Sequence, residues 1–325
     1  MDRKPPPGGF FHGAHGAACF PSLAGRYWGM AFPPHSTGAL GGARILSIAL
    51  NLPGPAALAR CRDEGALCTK LEPPAAAGRP SADPMALYCP QAYAELHAGV
   101  RILQADLKAP AGQAMLNQEL AATDVLITSF RPSALQRLRL DWATLQEHHP
   151  ALSLVRIVGG PGDAAEAPGH DLTYQAEAGL LPEGELLPAS LHADMAGALL
   201  ASEAVLRALL ARHSTGRGTE HEVSLATAAH WLAMPRTWGL ALPAGDVGGA
   251  HAGYRVYGCA DGRVALAALE PHFMARLCAA VGLPRDADPR DAATREAIAS
   301  FLHHRRREEL DRWARQEDIP LHTID

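Results

Sequence analysis

The chain has little of what most binding classes require. Its six cysteines (Cys19, Cys61, Cys68, Cys89, Cys259 and Cys278) contain no Cys-x-x-Cys pair. That excludes the common zinc and dithiol spacings and fits thiols kept reduced, so a cytoplasmic setting is expected. The 16 histidines are scattered and no His-Glu-x-x-His occurs, so no metal site is expected. No apolar run approaches the ~18 residues that span a bilayer. The opening Met1-Asp2-Arg3-Lys4 runs into Pro5-Pro6-Pro7 rather than into the apolar stretch of a secretory leader. A net charge of -5 gives no broad attraction for nucleic acid or anionic lipid, and neither is expected as a partner. An anionic ligand would have to meet a local basic pocket.

Hydrophobic residues, by contrast, make up 48% of the 325 residues against 19% charged, ample for two domains. Residues 1–41, rich in Gly, Pro and aromatics, read as an irregular arm packed on the body. From Arg44 the pattern becomes regular. Strands are expected at 44–50, 67–71, 100–105, 124–128 and 152–158, alternating with helices at 56–62, 110–122, 133–138 and 141–148. Such alternation predicts an α/β fold with a doubly wound parallel sheet. Ligands of such sheets sit beyond the carboxyl ends of the strands, which places Pro53, Gly54, Glu72, Phe130 and Arg131 on the functional edge. A long Ala/Leu helix runs from Asp194, a candidate cap, to His213 before Gly216. The large domain is expected over 42–230. A smaller α+β domain over 231–305 is announced by a hairpin signal at Asp261-Gly262, and 306–325 is expected to return to the large domain.

Three segments carry the chemistry. Gly169-His170-Asp171-Leu172-Thr173-Tyr174-Gln175-Ala176 comes first. Ala193-Asp194-Met195-Ala196-Gly197-Ala198 opens the long helix, which ends at Ser214-Thr215-Gly216-Arg217-Gly218 with Glu222-Val223-Ser224-Leu225 beyond. Val264–Phe273, containing Glu270-Pro271, is the third. With Lys70-Leu71-Glu72-Pro73, Asp106-Leu107-Lys108 and Asp124–Pro132, this ordered set resembles the family III coenzyme A transferases (CaiB/BaiF-like), nearest the α-methylacyl-CoA racemase branch. The resemblance runs from about Gly41 to the C-terminus.

The resemblance implies a Rossmann-like large domain that binds coenzyme A, a small domain beside it and an interlocked homodimer. It implies an acyl-CoA thioester as substrate, with no cofactor beyond the coenzyme A that the substrate carries. His170 and Asp194 match the two acid/base groups of a racemase, with Asp171 orienting the imidazole and Glu270 as a further carboxylate. In the transferase reading Asp194 is instead the nucleophile. Pro53, Gly54, Phe130, Arg131 and Arg137 match the coenzyme A contacts, and an arginine fork suits phosphate. Racemisation needs two acid/base groups flanking one carbon, and a helix start offers N–H groups to an enolate. α-Proton chemistry on a 2-methylacyl-CoA is the favoured expectation. Coenzyme A transfer through an aspartyl intermediate and a catalytically lapsed coenzyme A-binding protein remain as alternatives. Taken singly, an Asp before a helix is most often only a cap, and Glu270 before Pro271 could be one too. A nicotinamide dehydrogenase is disfavoured, because no Gly-x-Gly-x-x-Gly follows the first strand.

Overall fold

The computed structural model describes residues 38–325, so nearly all of the arm expected over 1–41 lies outside the described residues. Six strands form the main sheet: β1 (Arg44–Ser47), β2 (Leu67–Glu72), β3 (Arg101–Gln104), β4 (Val125–Thr128), β5 (Ser153–Val158) and β6 (Glu220–Ser224). Their order is β3-β2-β1-β4-β5-β6, and every pairing is parallel. The chain winds outward to β3, returns to set β4 beside β1, and winds outward again. This is a Rossmann-like, doubly wound α/β arrangement.

Side-chain alternation along the strands builds both faces. Ile45, Ile127 and Val155 face the helices Pro53–Asp63 and His192–Thr215, meeting Ala57, Leu58, Ala201 and Val205. Leu46, Leu126 and Leu154 face the other way, onto Leu116, Leu135 and Leu145 of the helices Pro110–Leu120, Pro132–Leu138 and Trp142–His148. β4 is buried at all four positions, as a central parallel strand covered on both sides must be. The helix Pro53–Asp63 starts on a proline whose missing N–H is no loss in a first turn.

The long helix His192–Thr215 buries a small-residue face, including Ala193, Gly197, Ala201, Ala204 and Ala208, and stops at Gly216 with φ 69. Its start differs from the sequence expectation. Leu191 holds the cap position and Asp194 lies inside the first turn, its side chain free of capping. At the amino edge of the sheet, Asp124 accepts the backbone N–H of Arg44 at 2.7 Å and pairs with Arg212.

A second sheet contains β7 (Tyr254–Cys259), β8 (Gly262–Ala267) and β9 (Leu321–Ile324), antiparallel in the order β7-β8-β9. A hairpin joins the first two as expected, but it turns at Ala260-Asp261, with Gly262 already paired to Cys259. The C-terminal segment corrects the expectation for 306–325. Leu310 and Ile319 enter the small core with Val264, Leu266, Leu277 and Ile298. β9 then covers the free edge of β8 with Leu321 opposite Leu266. The segment completes the small sheet and does not return to the large one. Among the described residues, no helix is long and apolar enough to cross a membrane.

Candidate active site

A cavity of about 150 Å³ opens at the carboxyl ends of β1, β4 and β5. It lies where the winding direction reverses between β1 and β4, the position at which two neighbouring loops part and leave a crevice. The loops after β1 and β4 are tied by the Leu50 N–H, which donates to Ser129 Oγ at 3.2 Å across 79 residues of chain. Asn51, Pro53, Phe130 and Arg131 contribute from these loops. Gly159 follows β5, while Gly169, His170, Tyr174 and Asp194 close the opposite wall. His170 and Asp194, 24 residues apart in the chain, thus border one space.

His170 precedes the helix Asp171–Glu177. Its backbone N–H donates to Thr173 Oγ1 at 3.1 Å, and that hydroxyl returns a bond to the His170 carbonyl at 2.7 Å. The residue is thereby held in extended backbone with an exposed side chain.

Asp194 is half-buried, and its carboxyl is pushed up from 3.8 to about 7, first by burial and then by the charge of Asp171. Asp171 itself is 5% exposed. One of its carboxylate oxygens accepts the backbone N–H of Asp194 at 3.0 Å and the other accepts Gln175 Nε2. Gln175 also donates to the Ser190 carbonyl at 3.1 Å and contacts His192 Nδ1 at 2.9 Å. Asp171 therefore anchors the start of the long helix, and both its oxygens are engaged away from the imidazole it was expected to orient. The helix-start N–H of Asp194 is correspondingly committed to Asp171.

The expected coenzyme A contacts divide. Pro53, Phe130 and Arg131 line the cavity. Gly54 is buried, and a Cβ there would lie 2.2 Å from the Ala49 Cβ, so the glycine lets the helix close on the segment that follows β1. Arg137 is exposed on the helix Pro132–Leu138 and is not part of the cavity wall. Glu270 is exposed at the cap position of the helix Pro271–Ala280, makes no side-chain capping bond and does not border the cavity.

Two features of the site go beyond the sequence reading, which placed Glu72 on the functional edge, whereas the structure buries it in a cluster behind the cavity wall. Tyr174 stands in the quoted Gly169–Ala176 segment, but a tyrosine three residues into a helix reads as core. The other lies beneath Asn51, whose φ of 65 is left-handed. Lys70, Glu72 and Asp83 are fully buried together. Lys70 pairs with Asp83, lies 3.6 Å from Glu72 and 3.0 Å from His97 Nε2. Burial, and then the Lys70 charge, holds the His97 imidazole below its ordinary value. Asp83 accepts the Asn51 N–H at 3.2 Å and the Met85 N–H at 3.0 Å, so this buried cluster fixes one wall of the cavity. Among the described residues no group of three metal-ligating side chains converges.

A model of CoA-transferase family III matches residues 40–325. Human alpha-methylacyl-CoA racemase is 32% identical over 208 residues, which is 59% of this chain and 54% of that protein. The succinate–glutarate CoA-transferase of Agrobacterium fabrum is 28% identical over 287 residues, 81% of this chain and 72% of that protein. The chain thus spans about half the length of the racemases that it matches, 54% and 55% for the human and mouse proteins. A crystal structure of a CaiB/BaiF family protein from Brucella suis is similar with a TM-score of 0.71 at 24% identity, over 89% of this chain and 85% of that chain. That likeness shows the fold.

Proposed function

The chain belongs to CoA-transferase family III, in which relatives named as racemase and as CoA-transferase are both found, and from that premise we propose that it exchanges the α-proton of a 2-methylacyl-CoA, with His170 and Asp194 as the two acid/base groups. The carrying observation is that these two side chains, delivered by different elements, border the same small cavity. One group removes the proton from one face of the carbon and the other returns a proton to the opposite face. A carboxyl near 7 is populated in both forms at neutral pH, which a reversible proton carrier requires. A carboxylate nucleophile has the opposite need, since only its ionised form attacks.

The cavity has room for an acyl head rather than for a whole coenzyme A, so the nucleotide end would run outward over the rim. There Phe130 offers a planar face and Arg131 a phosphate-binding fork, with Arg137 further out on the same helix. The reaction would need no cofactor beyond the coenzyme A of the substrate. Trp231, Trp238 and Leu210 are 66%, 67% and 70% exposed, large apolar side chains of the kind a homodimer would cover. A sedimenting monomer at micromolar concentration would remove the dimer.

CoA transfer is the second reading. It is favoured by the longer match of the Agrobacterium transferase, 81% of this chain against 59% for the human racemase. Incubation with a panel of 2-methylacyl-CoA esters in deuterated water separates the two. Deuterium at the α-carbon, without coenzyme A passing to added acids, supports proton exchange. Coenzyme A exchange without deuterium entry would establish transfer instead, and inertness in both would leave a coenzyme A-binding protein.

A further inference from the structure

The phenol of Tyr174 is placed in the cavity at the expense of two neighbouring side chains. A Cβ on Gly159 would lie 2.2 Å from the Tyr174 hydroxyl, and a Cβ on Gly169 would lie 2.5 Å from it. Neither glycine has a positive φ, so neither backbone demands glycine. Tyr174 between them does, through its hydroxyl at Gly159 and through both hydroxyl and ring at Gly169. Tyr174 is 8% exposed, and no hydrogen bond from its hydroxyl to another described residue is formed. The ring is buried, but the hydroxyl keeps access to the cavity, where a bound acceptor can take the place of water as its partner. The Asp194 carboxylate lies near enough to push the phenol above its ordinary value, after the larger effect of burial, and Arg131 works in the opposite direction. All three groups border the cavity. The phenol therefore remains protonated at neutral pH and has its hydrogen to give. The other donor expected here, the N–H of Asp194, is already held by Asp171.

We infer that the Tyr174 hydroxyl donates a hydrogen bond to the thioester carbonyl oxygen of the bound acyl-CoA, which makes it a catalytic residue of the site. The inference rests on the acyl-CoA reading above and deepens it. When the α C–H bond breaks, the proton passes to His170 or Asp194. The electron pair forms the enolate double bond, and negative charge collects on the former carbonyl oxygen. Tyr174 keeps its own proton and strengthens its bond as that charge grows, which is how a fixed donor lowers a barrier.

The test uses the full chain and a matched ligand pair: a 2-methylacyl-CoA, and its S-alkyl-CoA thioether with a methylene in place of the carbonyl. Calorimetry on the wild type should show the thioester binding about 3–10-fold more tightly, the ordinary contribution of one hydrogen bond. Tyr174→Phe should erase that preference while binding the thioether as the wild type does. In turnover, kcat for deuterium exchange should fall about 10²–10³-fold, with KM changing far less. Incorporation of 3-fluorotyrosine at position 174 keeps the ring in place and sharpens the donor, so the preference should grow. Retention of the full preference in Tyr174→Phe, its absence from the wild type, or indifference to fluorination would each overturn the inference. If the wild type exchanges no α-proton yet loses its preference on Tyr174→Phe, the hydrogen bond stands and the proton-exchange reading falls.

Discussion

The carboxylate of Asp171 accepts the backbone N–H of Asp194 at 3.0 Å, and the same carboxylate is the second cause of the raised Asp194 carboxyl. One residue thus pins the start of the long helix and adds to the effect of burial on the acidity of the side chain presented there. Its bonds to the Asp194 N–H and to Gln175 hold the Asp171 carboxylate in place beside the start of the helix.

Replacing Asp171 by Asn should lower the Asp194 carboxyl from about 7 while leaving it above 3.8, because burial, the larger cause, persists. The acid limb of the pH–rate profile should move down with it. Carbon-13 titration of the Asp194 carboxyl checks the shift without turnover. An unchanged titration would show that the Asp171 charge is not felt there.

Asp194 should also lower stability as pH rises. Its folded carboxyl titrates near 7 and its unfolded one near 3.8, so between those values the folded state binds more protons than the unfolded state. Stability contributed by this group is whole below about pH 4, falls through pH 4–7 and stays low above. Asp194→Asn removes that dependence. Its melting temperature should exceed that of the wild type by more at pH 8 than at pH 4, with a gain on the order of 2 kcal/mol at the alkaline end. Parallel curves for the two proteins would contradict it.

Gly159→Ala should destabilise the wild type by about 1–3 kcal/mol, the usual cost of overpacking, because its Cβ meets the Tyr174 hydroxyl. Combined with Tyr174→Phe the cost should shrink by more than half, since the nearest remaining ring atom is 3.1 Å away. A double-mutant cycle in urea measures the coupling.

Arg139 closes the helix Pro132–Leu138 in left-handed backbone, with φ 60 and ψ 37. Glycine relieves that strain, so Arg139→Gly should raise stability by about 0.5–1 kcal/mol. The change lies outside the cavity wall and should leave coenzyme A binding unchanged.

The sequence discloses the parts of this molecule whose signal is local. Val125-Leu126-Ile127-Thr128 is apolar because it is covered on both faces, and the hairpin signalled by Asp261-Gly262 forms one residue earlier, at Ala260-Asp261. β6 is harder to read. Its segment Glu220-His221-Glu222-Val223-Ser224 is buried only at Val223 and Ser224, since it pairs along one edge alone. β9 owes its existence to a partner some 55 residues upstream. At the site, His170 and Asp194 are legible as motif residues. The role of Asp171 is not, because successive residues on a helix point about 100° apart and adjacency to His170 implies no contact. Gly54 and Gly159 both resemble glycines kept open for a ligand. Only coordinates reveal that Ala49 fills one space and Tyr174 the other.

The bond from Leu50 to Ser129 crosses 79 residues, and the whole excursion through β2 and β3 lies between its ends. Closing so long a loop loses chain entropy before any contact compensates for it. Leu225, on the far wall of the same cavity, must arrive as well. The cavity therefore has no complete wall until these distant segments have met. For this protein, acquiring a binding site and completing the large sheet are one event.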